Sequence, residues 1–324
     1  MIHNDLILNK IKKVYDQLLP YINITPLIVG SSNLNEILGT NIILKFECFQ
    51  KSGSFKIRGA INNILSIGKE NLKNGITAVS AGNHAIAASY VANLFNLKNK
   101  IYIYENANSY RINICKNLKA NIIFTNAEKA FENVKKAENE GYTFIHPFDG
   151  KNTLQGSATL GLETLKQLKK INKKIDNVVI SVGGGGLISG IGSYIKQVYP
   201  NTKVIGVEPL LANGMTQSIK INNPLNKVKI SSIADSLCAP LHMPYSFSVA
   251  KNIIDEMINV TEDEIKDTMI FAFNNFKLFL EPACVVGLAA IKYHLKDKIK
   301  EQNTLLILCG SNLDYLSWKK IILN

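Results

Sequence analysis

The sequence predicts an α/β fold of two parallel-sheet domains, the larger interrupted by the smaller. Three observations carry this expectation. From Gly75 onward, short apolar runs alternate with helix-forming stretches, the pattern of strands joined by crossover helices. The alternation comes in two series, divided at His146-Pro147-Phe148-Asp149-Gly150. A length of 324 residues at 46% hydrophobic content is enough for one large or two modest cores. The small domain is placed at residues 64–148, and residues 1–63 with 149–324 form the large one.

In chain order, Asn4 to Leu19 reads as an amphipathic helix. Thr25-Pro26-Leu27 reads as an extended turn, because the residue before a proline is pushed out of the α region. Ile42 to Phe46 is a buried strand, after which a Ser52-Gly53-Ser54 turn delivers Lys56 at the mouth of a helix. The first alternating series predicts strands at Ile76–Val79, Ile101–Tyr104, Asn121–Thr125 and Thr143–Ile145. Between them lie helices at about Ala85–Phe95, Arg111–Lys119 and Ala127–Glu140. In the second series Leu162, Leu165 and Leu168 stripe a helix, Val178–Val182 is a strand, and Gly183 to Gly186 open the next helix. Strand Val204–Val207 runs into Glu208-Pro209, and strand Leu305–Leu308 ends at Cys309-Gly310-Ser311-Asn312.

Composition excludes several function classes. The formal net charge is +12, yet Arg58 and Arg111 are the only arginines among 37 basic residues. The lysines are spread along the chain without a basic tail or interleaved aromatics. That describes a solvated surface rather than a phosphate-tracking groove, so no nucleic-acid partner is expected. Five cysteines, Cys48, Cys115, Cys238, Cys284 and Cys309, include no Cys-x-x-Cys pair, so neither a disulfide framework nor a zinc site is expected and a reducing compartment fits. Met1 to Pro20 sets Lys10, Lys12, Lys13 and Asp16 among its apolar residues and lacks a signal-peptide core. With no apolar run long enough to span a bilayer, the expectation is a cytoplasmic protein without membrane contact.

Lys56 is the first candidate for chemistry. A lysine at the edge of a sheet rather than on a solvated face loses hydration, its pKa falls, and its amine is freed for Schiff-base chemistry. The bland alternative is one more surface lysine. Ser80-Ala81-Gly82-Asn83-His84-Ala85 lies where a strand meets a helix, so its backbone N–H groups and the helix amino terminus favour an anion such as a carboxylate. Asn83 there could equally be a helix cap. Gly183-Gly184-Gly185-Gly186-Leu187 can form a nest of N–H groups that suits a phosphate. A dinucleotide loop would need Gly-x-Gly-x-x-Gly. Counting from Gly184 meets Ser189 in the last place, and counting from Gly183 meets Ile188. Cys309 stands at the carboxyl end of a strand, where open α/β sheets gather ligands.

Taken together and in this order, Ser52-Gly53-Ser54-Phe55-Lys56-Ile57-Arg58-Gly59-Ala60 and the three later motifs resemble the serine/threonine dehydratase and serine racemase family. These are fold-type II pyridoxal phosphate (PLP) enzymes, related in fold to the tryptophan synthase β chain. The resemblance implies that PLP lies between the two domains. Lys56 would carry the cofactor and act as catalytic base, with Phe55 packed near the ring and Asn83 on its phenolic oxygen. Gly183, Gly184, Gly185, Gly186 and Leu187 would hold the phosphate, and Cys309 the pyridine nitrogen. Ser80, Ala81, Gly82 and His84 would complete the loop for the substrate carboxylate.

Racemases of the family carry a serine where Ala81 stands, to move a proton on the face opposite the lysine. Alanine cannot do this, which favours elimination. The implied activity is a PLP-dependent ammonia-lyase acting on L-serine or L-threonine, in a homodimer. An amino-acid racemase or a 3-hydroxyaspartate dehydratase are the alternatives within the fold, and a nicotinamide-dependent oxidoreductase is the alternative outside it. The chain departs from the family at Gln155-Gly156-Ser157-Ala158-Thr159, at Ala85-Ile86-Ala87, and at Gly214, where metal-dependent members have an aspartate; no metal is expected. Glu281-Pro282 is similar to a family motif opening a late helix, with Pro282 suited to the first helical position.

Overall fold

The computed structural model describes residues 3–126 and 129–323. Ten strands follow in chain order: β1 (Leu27–Val29), β2 (Asn41–Lys45), β3 (Ile76–Val79), β4 (Asn99–Tyr104), β5 (Ile122–Thr125), β6 (Thr143–Phe144), β7 (Asn177–Ser181), β8 (Lys203–Pro209), β9 (Glu256–Val260) and β10 (Asn303–Ile307). They make a six-stranded sheet of order β1-β2-β10-β7-β8-β9 and a four-stranded sheet of order β5-β4-β3-β6. The apolar run at Leu305 explains why β10 closes the centre of the larger sheet: it pairs with Ile43 on one side and Val178 on the other, and all three are buried. Strands covered on both faces read as continuous apolar runs, which is what made them visible in the sequence.

The structure differs from the expected pattern in three places. Thr25-Pro26-Leu27 was expected to be a turn. Instead Leu27 begins β1, which pairs with β2 antiparallel, so the large sheet is parallel except at this edge. Three residues with two exposed side chains carry no periodic signal. The amino-terminal helix is also split: a 3-10 turn at Asn4–Leu6 precedes helix Leu8–Leu18. The helix expected from Ala127 is observed at Ala130–Asn139, and Ala127 lies outside the described residues.

The parallel strands bring their carboxyl ends to one side of each sheet. β2 leads through the Ser52–Phe55 loop into helix Lys56–Ile67, β7 into the glycines and helix Gly186–Val198, β10 into Cys309, and β3 into Ser80–Asn83 and helix Asn83–Leu94. Helix Lys151–Lys170 is the platform beneath. A Cβ on its Gly156 would stand 2.5 Å from Arg58 O, so only glycine lets the lysine helix come this close. The family departure at 155–159 therefore keeps the one small residue that this packing needs. Val14 and Leu18 of the first helix pack with Ile57, Ile61 and Ile64 to seal the lysine helix from outside.

Candidate active site

The carboxyl ends of the two sheets face each other across a cleft of about 950 Å³, counting the solvent at its mouth. Its walls include Phe55, Lys56, Ser80, Ala81, Gly82, Asn83, His84, Gly183, Gly184, Gly185, Gly186, Leu187 and Cys309. Every site residue expected from the sequence thus reaches a single cavity, of a size usual for a cofactor and a small substrate.

Lys56 opens its helix and projects inward. Its Nζ donates to Pro147 O at 2.6 Å and lies 4.9 Å from the centre of the Phe55 ring. Among the described residues it makes no ion pair. Burial pulls the amine down to about 8, against the opposing influence of Cys309 and Glu281. The carbonyl that receives Lys56 belongs to a turn organised by His146, whose Nδ1 accepts from Asp149 N at 2.9 Å and from Phe148 N at 3.3 Å.

The lysine loop is laced to the end of β10. Phe55 N donates to Cys309 O, Ser311 N to Gly53 O, and Asn312 Nδ2 to Ser52 O. Cys309 is buried, and its thiol faces Ala283 O at 3.8 Å. The glycine loop is as crowded as it is bare. A Cβ on Gly184 would fall 2.2 Å from the Phe148 ring, and Gly185 has φ +90 and caps the following helix. Side chains are excluded there, so backbone N–H groups can point into the cleft. Ser181 Oγ, at the end of β7, is buried in the wall without a hydrogen-bond partner.

Opposite these, Ser80 Oγ accepts from Gly82 N at 3.0 Å and shapes the turn into helix Asn83–Leu94. Asn83 is not a capping side chain: its Nδ2 donates to Glu281 Oε1 at 2.6 Å and its Oδ1 accepts from Asn312 Nδ2 at 2.6 Å. His84 Nε2 donates to Ile145 O at 2.7 Å, and burial, reinforced by Lys56, drives the ring down to about 3, so it is neutral.

Sequence reasoning missed Arg111, Asp235 and Asn312, and left Glu281 without a defined role. Arg111 Nε donates to Asn312 O at 2.9 Å, Nη1 to Asp235 Oδ2 at 2.5 Å, and Nη2 to Glu281 Oε2 at 3.1 Å. Burial raises the Glu281 carboxyl while Arg111 opposes the shift. One signal could have pointed here: in a chain that otherwise uses lysine, arginine is the choice where a cation must serve several acceptors in fixed directions. Glu208 lies apart from this group. Its Oε1 accepts from Met215 N and its Oε2 from Thr216 N and Oγ1, and burial pushes it up to about 7 against those bonds. Among the described residues, no cluster of three or more His, Cys, Asp or Glu is placed to hold a metal, and no helix is long and apolar enough to cross a membrane.

The parts on hand are a softened amine, a bare amide nest one wall away, an unpartnered hydroxyl and a buried thiol. They fit a planar, phosphorylated aldehyde, and define an α/β enzyme built to hold one. Comparison with known proteins agrees: residues 18–310 match the pyridoxal-phosphate dependent enzyme family, and the chain belongs to it. It is 35% identical over 296 residues to a phenylserine dehydratase of Ralstonia pickettii, covering 91% of this chain and 89% of the relative. It is 35% identical over 295 residues to an L-threonine ammonia-lyase of Thermotoga maritima, covering 90% and 72%. The structure of maize serine racemase superposes with a TM-score of 0.88 at 29% identity, covering 97% of this chain and 96% of that one.

Proposed function

We propose that the protein is a PLP-dependent dehydratase. It would remove water across Cα–Cβ of L-threonine or L-serine, after which hydrolysis yields ammonia and 2-oxobutyrate or pyruvate. The observation that carries this reading is the single amine of Lys56, softened by burial, sharing the cleft with the glycine nest, with an alanine at position 81 of the opposing loop. Bound PLP supplies an electron-withdrawing ring that takes up the charge left when Cα loses its proton.

The chain's own residues do the rest. Lys56 Nζ would hold the cofactor through its aldehyde and, when free, would take the proton from Cα as a general base. The N–H groups of Gly183 to Leu187 would hold the phosphate, and Asn83 Nδ2 would give the phenolic oxygen the N–H that now makes a long contact of 3.5 Å with Ser236 Oγ. Cys309 would offer the ring nitrogen a thiol in place of a carboxylate, which would limit the ring's pull to what an elimination needs. The Ser80–Asn83 backbone takes the substrate carboxylate at a helix amino terminus. Ala81 has no proton to give, so the protonated face stays on the lysine side.

In the same reading residues 64–148 form the smaller domain, with residues 1–63 and 149–324 forming the larger. The setting is cytoplasmic, in keeping with five cysteines that are all free. A homodimer is supported by an exposed apolar strip at the β1 edge, Ile24, Ile28, Val29 and Phe49.

A substrate panel with PLP present tests the reading. L-Threonine or L-serine should release 2-oxo acid and ammonia together. Conversion of L-serine to D-serine without 2-oxo acid would overturn it in favour of a racemase.

A further inference from the structure

The cleft contains one permanently charged cation, and its charge is already outweighed. Arg111 faces two carboxylates, Asp235 through Nη1 and Glu281 through Nη2, so the trio carries a net charge of −1. Glu281 acts as a carboxylate, since both its oxygens accept donors, Oε1 from Asn83 and Oε2 from Arg111. The trio borders the loop taken above for the substrate carboxylate: a Cβ on Gly82 would stand 3.3 Å from Arg111 Nη1 and 3.0 Å from Ser236 Oγ. The neighbouring His84 is neutral, and Lys56 is committed to the cofactor in the working enzyme.

An arginine waiting for an acidic side chain would have its charge free. Here the fork is held by the protein's own acids from two separate loops, while the remaining wall offers only neutral groups such as Tyr104 and Ser236. A second carboxylate on the substrate would meet a negative wall, and like charges repel. Selectivity by repulsion of the wrong ligand needs no added contact to the right one.

We propose that Arg111, Asp235 and Glu281 form a charge filter that admits amino acids with a neutral β-substituent and rejects those carrying a second carboxylate. Arg111 orients the two acids, and Asp235, at the more open end, sets the excess negative charge. The inference rests on the dehydratase reading for its placement of the substrate, and narrows it to neutral β-hydroxy amino acids, against 3-hydroxyaspartate.

The test compares L-asparagine with L-aspartate, nearly identical in shape and different in charge, as ligands of the holoenzyme. Binding is followed by equilibrium dialysis and by the change in the bound cofactor's absorbance. Asparagine should bind about a hundredfold more tightly, and raising the salt should narrow the gap as charges are screened. D235N should shrink the gap about tenfold, and the ratio of kcat/KM for L-threonine over L-threo-3-hydroxyaspartate should fall in parallel. Aspartate binding as tightly as asparagine, or a gap that D235N leaves unchanged, overturns the filter. If D235N fails to hold the cofactor, the wild-type ratio and its salt dependence decide. If no β-hydroxy amino acid yields 2-oxo acid, the dehydratase reading falls, while the asparagine-to-aspartate ratio still judges the filter.

Discussion

The two arginines anchor two networks that are alike in pairing a guanidinium with two carboxylates and differ in what they do. Arg58 donates through Nε to Glu47 Oε1 at 2.6 Å and through Nη2 to Glu163 Oε2 at 2.9 Å. Lys45 Nζ completes the set on Glu163 Oε1 at 2.6 Å. Two cations meet two carboxylates, all four side chains almost wholly inaccessible, and every element involved belongs to the large sheet or the helices on it. Arg111 instead starts from helix Ser109–Asn117, which follows β4 of the small sheet. It reaches Asp235, Glu281 and Asn312, which lie after the strands of the large sheet, and its charges do not sum to zero. A balanced network sealed away from the cleft serves the fold. An unbalanced one that crosses the cleft and lines it shapes what can bind and react there.

Breaking the sealed network should give the largest effect of all on stability. Glu163→Ala leaves Lys45 and Arg58 short of a counter-charge in the core, for a loss of about 3–5 kcal/mol read from the urea midpoint. Activity per folded molecule should persist. A variant that keeps its stability and loses turnover would erase the distinction between the two networks.

Paired arginine-to-lysine changes sharpen the distinction. Lysine keeps the charge and loses the fork. Arg58→Lys should cost about 2 kcal/mol of stability with kcat/KM little altered. Arg111→Lys should lower kcat/KM about 10- to 100-fold by letting Glu281 and Asn83 shift, with a smaller change in melting temperature. Equal effects of the two on both readouts would contradict the assignment.

A third contrast sets Lys45 against Lys56. Burial lowers both amines, but Lys45 has Glu163 to restore its charge, whereas Lys56 has a carbonyl. Only a neutral amine can attack an aldehyde. Capture of PLP by the cofactor-free protein should therefore speed up about tenfold per pH unit at low pH and level off above about 8. For an amine of ordinary basicity the rise would continue past pH 10. The smallest expected effect is at Ala81. Ala81→Ser puts a hydroxyl on the face opposite Lys56, and about one turnover in a hundred should then return D-serine from L-serine, seen by chiral chromatography.

What the sequence disclosed, and what it hid, follows the same division. Lys56, the Ser80–His84 loop, the glycine run and Cys309 each sit just past a buried strand, so an apolar run followed by small or polar residues marks them locally. The edge strands β1 and β9 are short and half-exposed, and alternation could not find them. Arg111, Asp235 and Asn312 acquire meaning only when the two sheets meet, 124 residues separating Arg111 from Asp235 and 201 separating it from Asn312. Their local sequence is ordinary, and the rarity of arginine is the one trace they leave. Asn83 could be read as a helix cap or as a ligand, and it is the long-range pairing with Glu281 and Asn312 that separates the two.

The central claim is that one lysine holds the cofactor. Borohydride treatment of the PLP-loaded protein, followed by peptide mass mapping, tests it most directly. The account predicts a single pyridoxyl group fixed on Lys56, absent after Lys56→Ala. A label on any other lysine, or no label on a protein that has bound PLP, would contradict it.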